Sequence, residues 1–431
     1  MANSKIIYFF LVFVYNLVLV YLYQDYIYPK YSYFGMQFNE SYSFHYSIVL
    51  SFLSSLFVFL LPKYIEKPSD ILLVFSYFFV FLPAINVGYI ALNKADIYFF
   101  EYSLYLIINI LVLIFFNRIN TRKMYFYSLT KRTTNSIVFL VSALLYILVF
   151  LYYRPDINNI LKLEDVTGVY DLRSDYREQN SGYPSIVVYA FTWLVRFFTP
   201  LILLYGLINN NRLIVLLSFV LTLLLFSVSG HKSIMLGYGL VVISFFLFNK
   251  VNKVSFFILF NLYFICLLFS TVLYKFIDLD ILINAFVRRA MHVPGILSIF
   301  FYEFFSNNDN TYLGYSILKS LVIYPYDVTP PFIIGDYYFG RADMSANVNY
   351  IISGYADFGF FGGILFTTLV VLFYKVLDSI YLFKVGDRRF LALIILPTWA
   401  LVNSAFITVL VTHGLFLIFL YFLICNKHER K

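Results

Sequence analysis

Of 431 residues, 61% are apolar and only 13% are charged, against roughly a quarter charged in an ordinary soluble domain. A mean hydropathy of +0.81 and 22% aromatic residues exclude a soluble enzyme, a disordered chain and a nucleic-acid-binding module. The net charge of +8 requires no polyanion partner, because the basic residues fall into a topological pattern.

A bilayer-spanning helix needs about 20 apolar residues. Apolar runs predict spans near 6–23, 44–62, 70–91, 103–117, 137–153, 186–208, 213–229, 234–248, 254–274, 355–376, 391–408 and 411–425. The first run resembles a signal sequence, but it lacks a small-residue cleavage site and is a full span long, so it reads as the first helix. The last two form the tightest fit, since Arg389 to Cys425 is barely long enough for two crossings. The fold class is an all-α polytopic membrane protein with about 12 transmembrane helices in a single integral membrane domain.

Assigning the polar segments alternately to two sides gives one consistent topology. One side collects eighteen basic residues, including Lys5, Lys63, Lys67, Arg118, Arg122, Lys123, Lys250, Lys253, Lys375, Arg388, Lys427, Arg430 and Lys431. It holds five acids (Glu66, Asp70, Asp378, Asp387 and Glu429), a net of +13 against −5 for the rest. The positive-inside rule makes that side cytoplasmic, with both termini. Loops are short except for two on the external side, 154–185 and 275–354. Connections that long are uncommon unless they are functional. No internal repeat of the kind that marks many secondary transporters is found.

Candidate chemistry concentrates in and beside these loops. In the first, Arg173 and Arg177 stand four apart and share a face on a helical turn. Arginine suits bidentate contact with phosphate oxygens, whereas a solvated loop would pair them with Asp171, Asp175 and Glu178. Arg196 lies inside the 186–208 span, where an arginine costs on the order of 3 kcal/mol and defaults to a functional reading. Gly230-His231-Lys232-Ser233 joins two short spans, so its tip is expected to be recessed into a cavity. There Lys232 and the free N–H groups of the next helix would make an anion site, with a plain polar hairpin tip as the bland alternative.

In the second loop, Asp280 is expected to cap an interfacial helix over 281–293 that Pro294-Gly295 stops. That helix has an apolar bed and a basic edge of Arg288, Arg289 and His292; a surface anchor without chemistry fits the same pattern. Glu303, among aromatic residues, is either a carboxyl with raised basicity or a side chain reaching water at a helix end. The stretch Gly335 to Gly363 carries Arg341, Asn347, Asn349, Tyr350, Tyr355 and Asp357, amides and tyrosines that suit a sugar. Asp357 is expected to open the next span, where it also complements the helix dipole.

Several chemistries find no support. There is no P-loop. The five histidines, His45, His231, His292, His413 and His428, show no metal-ligand spacing. Cys266 and Cys425 both fall in spans, so no disulfide framework is available. Asp278-Leu279-Asp280 spells a DxD, but a divalent site built on it is disfavoured.

The order of these features resembles the Wzy-type oligosaccharide repeat-unit polymerases of bacterial O-antigen and capsule synthesis. The matching stretches are Ser229-Gly-His-Lys-Ser233, then Arg288-Arg-Ala-Met-His-Val-Pro-Gly295 running into Tyr302-Glu-Phe-Phe305, then Ala346-Asn-Val-Asn-Tyr350 to Ala356-Asp-Phe-Gly359. The Arg-x10-Gly pattern of some members is absent from both long loops. The resemblance implies a bundle like the O-antigen ligases and the metal-independent membrane glycosyltransferases of the C type, in the bacterial plasma membrane. Its substrates would be undecaprenyl-diphosphate-linked oligosaccharides, with a chain-length regulator and a flippase as partners and no cofactor. Arg173, Arg177, Arg196, Lys232, Arg288, Arg289, Arg341 and Asn347 would bind diphosphate and sugar, and His292, Glu303 and Asp357 compete as proton acceptor.

An O-antigen ligase, with a lipid-A core as acceptor, would use nearly the same chemistry. A flippase or other transporter would be expected to have short loops on both sides and charges along its spans. An acyltransferase would carry a catalytic histidine motif at a membrane face. If no metal takes part, a chelator leaves the transfer activity of the purified protein unchanged. Loss of activity restored by Mg²⁺ or Mn²⁺ would revive the Asp278/Asp280 site.

Overall fold

The computed structural model describes residues 2–122, 124, 128–161, 166–316, 318 and 320–425. Lys123, Lys427, Glu429, Arg430 and Lys431, counted above on the basic side, lie outside the described residues. The described chain is helical, with a single isolated bridge between Tyr64 and Ser255. Nine of its helices are long and apolar enough to cross a membrane: Ser4–Phe34, Pro68–Ala91, Asp96–Arg118, Arg132–Tyr153, Ser185–Ile208, Arg212–Ser229, Lys232–Lys250, Ile258–Ile277 and Tyr350–Val385. Phe44–Leu60 is a shorter apolar helix between the first two. The architecture is compatible with a polytopic membrane protein.

The segments assigned to the basic side meet at one end of the bundle. Lys5 Nζ donates to the carbonyls of Phe59 and Leu61, both at 2.9 Å. Arg118 reaches Leu60 O at 2.8 Å, Ile65 N bonds Val254 O, and Leu129 N bonds Ile424 O, both at 2.9 Å. Buried Asp378 accepts from the backbone N–H and hydroxyl of Ser69 at 2.8 and 2.6 Å, with Lys375 3.4 Å away. At the opposite, loop end, Lys94 pairs with Glu303 at 3.0 Å, Lys275 with Asp25 at 2.7 Å, and Lys30 with Asp280. Halfway between, Asn16 donates to Ser54 Oγ at 3.1 Å and Ser51 donates to Asn86 at 2.9 Å. Such interhelical bonds replace the hydrophobic drive that lipid does not supply between helices.

Four of the prolines that sit inside helices, unlike Pro397 within Leu391–Leu401, share one backbone adjustment. Proline lacks an N–H and presses on the carbonyl four residues back, which normally breaks a helix. Before Pro29, Pro83, Pro200 and Pro294 the helix widens into π turns, Tyr23–Ile27, Ser76–Phe81, Leu194–Phe198 and Ile283–His292. In each case the residue preceding the proline donates five residues back instead of four. The wider turn absorbs the ring and re-pairs the backbone. Pro294-Gly295 therefore does not stop the second-loop helix as expected: Ile283–His292 runs straight into Val293–Asn307.

The last two expected crossings are also corrected. Leu391–Leu401, Phe406–Thr412 and Leu415–Ile424 are too short to cross singly, and the last two meet at a 55° bend. The segment begins at the basic end, after Arg388–Phe390, and Leu129 holds its far end there. Its middle lies deep: Trp193 Nε1 donates to Val411 O at 2.7 Å, and Gly414 packs against Arg196 and Phe197. The chain runs in from the basic end, bends at His413-Gly414 and ends with Ile424 bonded to Leu129.

Tyr350–Ile380 is broken at Phe358 and Gly359, whose backbones leave helical geometry. Asp357 thus closes the short first half instead of opening a span. Close packing around the break depends on glycine. A Cβ on Gly363 would stand 1.7 Å from the hydroxyl oxygen of Tyr105, itself bonded to Ile351 O at 2.9 Å. Gly363→Ala should destabilise the detergent-solubilised protein by about 1–3 kcal/mol, an overpacking cost. Unaltered thermal unfolding would show that Tyr105 moves aside freely.

Candidate functional site

The first long loop folds into the helix Val166–Gly182. Val169, Leu172 and Tyr176, at three- and four-residue spacing, are buried, whereas Asp171, Asp175, Arg177 and Glu178 are exposed. This amphipathic pattern lays the helix over the hairpin joining Arg212–Ser229 to Lys232–Lys250. A Cβ on Gly230 would stand 3.0 Å from both Val169 O and Leu172 Cβ, and the left-handed backbone there (φ +62°) favours glycine. Arg173 Nε donates to Gly230 O at 3.2 Å, and the Tyr176 ring meets that of His231 edge-on at 5.8 Å. The helix thus covers Gly230 at the tip, while Ser233 is exposed.

Arg196 enters from the side. It lies on the π turn Leu194–Phe198 that Pro200 imposes, about midway along Ser185–Ile208. Among the described residues its guanidinium has neither a hydrogen-bond nor an ion-pair partner, although the residue is only half-buried. The charges of Arg173, Arg196 and Arg177 all act on His231, and that of Arg196 also acts on His413. Two helix N-termini converge on the same place, Lys232–Lys250 after His231 and Leu415–Ile424 after Gly414. A helix start carries the positive end of its dipole. Arg173, Arg177 and Arg196 thus all lie within electrostatic reach of His231, and the Leu415–Ile424 start packs against Arg196; arginine forks suit phosphate oxygens. Lys232 follows His231 at the head of its helix and is half-buried.

His231 feels this field. Burial pushes its imidazole down to about 4, and Arg173, Arg196 and Arg177 push the same way. The ring is neutral at pH 7.

The remaining candidates lie elsewhere at the loop end. Arg288 lays its guanidinium on the Tyr31 ring at 4.4 Å, its Nε buried without a partner, and Arg289 is exposed. Arg341 pairs with Asp343 at 3.2 Å and lies over Phe34 at 5.3 Å; Asp343 also feels Arg177. Tyr31 and Phe34 are three residues apart, so these cations form an arc from Arg177 to Arg288. Asn347 is exposed, while Asn349 caps Tyr350–Ile380 and donates to Ser298 at 2.8 Å.

Two of the three proposed proton acceptors have structural partners that account for them. His292 is wholly buried, its Nε2 3.0 Å from Leu19 O and its ring beside Tyr23, which makes it a packing joint between two helices. The π register carries it off the basic edge that α-helical spacing would give. Asp357, 1% exposed, accepts from Thr311 Oγ1 at 2.6 Å, Leu313 N at 3.2 Å and Tyr315 at 3.4 Å. Glu303 keeps a partly exposed carboxylate, paired with Lys94 and accepting from Tyr338. Asp280 does not cap its helix with its side chain; Lys30 and then Tyr26 hold that carboxyl below the usual range.

Sequence reading put no role on His231 or His413. The signal for the first lay inside Gly230-His231-Lys232. For the second, Thr412-His413-Gly414 interrupts an apolar run.

Ring-labelled His231 should titrate near pH 4 by NMR. The unfolded imidazole binds its proton near 6.5, so this residue withdraws stability as pH falls from about 6.5 to about 4. With Arg173→Gln and Arg177→Gln together its pKa should rise; an unmoved titration would show that the arginines do not face it. The chain matches no protein-family model, no curated protein and no solved structure.

Proposed function

We propose that this protein is a metal-independent membrane glycosyltransferase that polymerises lipid-diphosphate-linked oligosaccharide units. The reading rests on the resemblance to Wzy-type polymerases, and one observation carries it: the unpartnered Arg196 guanidinium in mid-helix, grouped with Arg173, Arg177 and two helix starts. A permanent cation at that depth is costly, and a diphosphate head group entering from the membrane surface offsets the cost. In this topology the basic end and both termini are cytoplasmic, and the arginines face the outer leaflet of the bacterial plasma membrane.

The reaction follows from the charge. The acceptor hydroxyl oxygen bonds to the anomeric carbon of the donor glycan while the bond from that carbon to the diphosphate oxygen breaks. The electron pair leaves with the lipid diphosphate, where preorganised cations stabilise the developing charge. Arg196, Arg173 and Arg177 supply them, with Lys232 at the helix start. The hydroxyl proton needs an acceptor within reach. His231, neutral and beside the arginines, suits that role better than His292, which is sealed in the core with its Nε2 against Leu19 O, or Asp357, whose carboxylate is taken up by Thr311, Leu313 and Tyr315. An arriving diphosphate would offset the arginine charges and raise the basicity of His231 as the donor binds. Glu303, Arg288, Arg289, Arg341 and Asn347 lie along the arc where a glycan chain would extend.

Arg196→Ala should lower transfer by about two to three orders of magnitude, seen as loss of long polysaccharide on a gel with protein level and single capped units retained. Long chains persisting in this variant would overturn the diphosphate role of the cluster. In a deletion strain, one repeat unit on the core indicates a polymerase, and free lipid-linked long chains indicate a ligase.

A further inference from the structure

At the basic end, far from the arginine cluster, two cations share a site. Lys5, on the first helix, and Arg118, at the end of Asp96–Arg118, both line a cavity of about 150 Å³ together with Leu60, Leu61, Pro62 and Ile114. Lys5 gives two of its three N–H donors to the carbonyls of Phe59 and Leu61. Arg118 gives one bond to Leu60 O, which leaves most of its five donors unused. Each carbonyl fixes a cation in place without neutralising it. Among the described residues neither cation has an ion-pair partner, and the charge of Arg118 acts on Lys5. The nearest buried carboxylate, Asp70, is occupied by Asn117 and by the backbone N–H groups of Glu66 and Lys67.

The cavity adjoins an open groove of about 500 Å³, walled by Leu60, Leu111, Ile114, Phe115 and Ile119 beside Arg118. Leu111, Phe115 and Ile119 are 43%, 64% and 43% exposed. They line the outside of the bundle along the axis of Asp96–Arg118, below a helix-end pair of positive charges. The combination matches an amphiphile with an anionic head and an apolar tail. A free phosphate would use the cations and leave the groove bare, and a neutral lipid would use the groove and leave two like charges together. Basic pockets between helices at this end of membrane proteins take anionic head groups for the same electrostatic reason.

We propose that Lys5 and Arg118 form a binding site for an anionic phospholipid of the leaflet at the basic end, with the phosphate between the two cations and an acyl chain along Leu111, Phe115 and Ile119. The site ties the first helix to Asp96–Arg118 through the Phe59–Leu61 turn, so an occupied site would brace three elements.

The test is native mass spectrometry of the full chain, titrated with phosphatidylglycerol and, separately, with phosphatidylcholine of the same acyl chains. Wild type should prefer phosphatidylglycerol by roughly twenty-fold, about a factor of five for each cation near the surface. Arg118→Gln, at an exposed position, should lose about a factor of five of that preference. Lys5→Arg with Arg118→Lys should keep it, and Lys250→Gln with Lys253→Gln should leave it unchanged. Soluble glycerol phosphate in excess should not displace the lipid. Equal retention of the two lipids by wild type would overturn the proposal. So would an undiminished preference in Arg118→Gln, or displacement by glycerol phosphate, which would mark a phosphate site that ignores the groove.

Discussion

An arginine held halfway along an apolar helix with no partner among the described residues is the constraint around which this bundle is arranged. Insertion of such a residue costs on the order of 3 kcal/mol, and the fold shows how charge is handled when the purpose is structural. Asp378, at the basic end, is fully buried and accepts two bonds from Ser69 with Lys67 and Lys375 close by. Asp70 is enclosed in the same way by Asn117 and two backbone N–H groups. Arg196 receives no such treatment. Its surroundings add positive charge, from Arg173 and Arg177 and from two helix starts, where a stabilising design would add carboxylates. Apo stability argues against that arrangement, and binding of an anion argues for it.

The prolines explain why the cations stand where they do. In an uninterrupted α-helix, Arg196 and Arg288 would follow the 3.6-residue stripe. Pro200 and Pro294 force the preceding turns into π geometry, which adds a residue to the turn and rotates everything upstream. Arg288 consequently lies on Tyr31, and His292, four residues later, swings into the core against Leu19. π turns inside α-helices are frequent at functional sites. Here two of them bear arginines, Leu194–Phe198 in mid-span and Ile283–His292 at the loop end.

Hydropathy and charge made most of this fold legible. The runs up to 254–274 correspond to helices, and segments that the charge alternation put on one side are in contact, Lys5 with Leu61 and Leu129 with Ile424. What composition does not encode is path length. Residues 391–425 are as apolar as any crossing, yet they fold as three short helices, because apolar residues are equally content inside a protein or against lipid. Punctuation at Asn403-Ser404 and His413-Gly414 was the available hint. The site was half legible. Arg173, Arg177 and Arg196 come from a loop and a span, and only the fold brings them to His231. His292 and Asp357 looked reactive because sequence shows a titratable group but not Leu19 O, Thr311 or Tyr315 waiting for it.

The arginines that lie on aromatic rings add the last step. Stacking uses the flat face of a guanidinium and leaves its N–H fork, which lies in the plane, pointing outward. Arg288 lies over Tyr31 at 4.4 Å and Arg341 over Phe34 at 5.3 Å, the latter also donating to Asp343. At the basic end Lys5, Arg118 and Lys375 are instead fixed by donating to helix-end carbonyls. Rings orient a cation for an oxygen-rich partner; carbonyls use its donors to close a helix. The loop end thus carries Arg288 and Arg341 beside aromatic rings, with Arg177 within electrostatic reach of Asp343. A chain of hydroxyls and phosphates, longer than a single head group, is the kind of ligand that such an arc can follow.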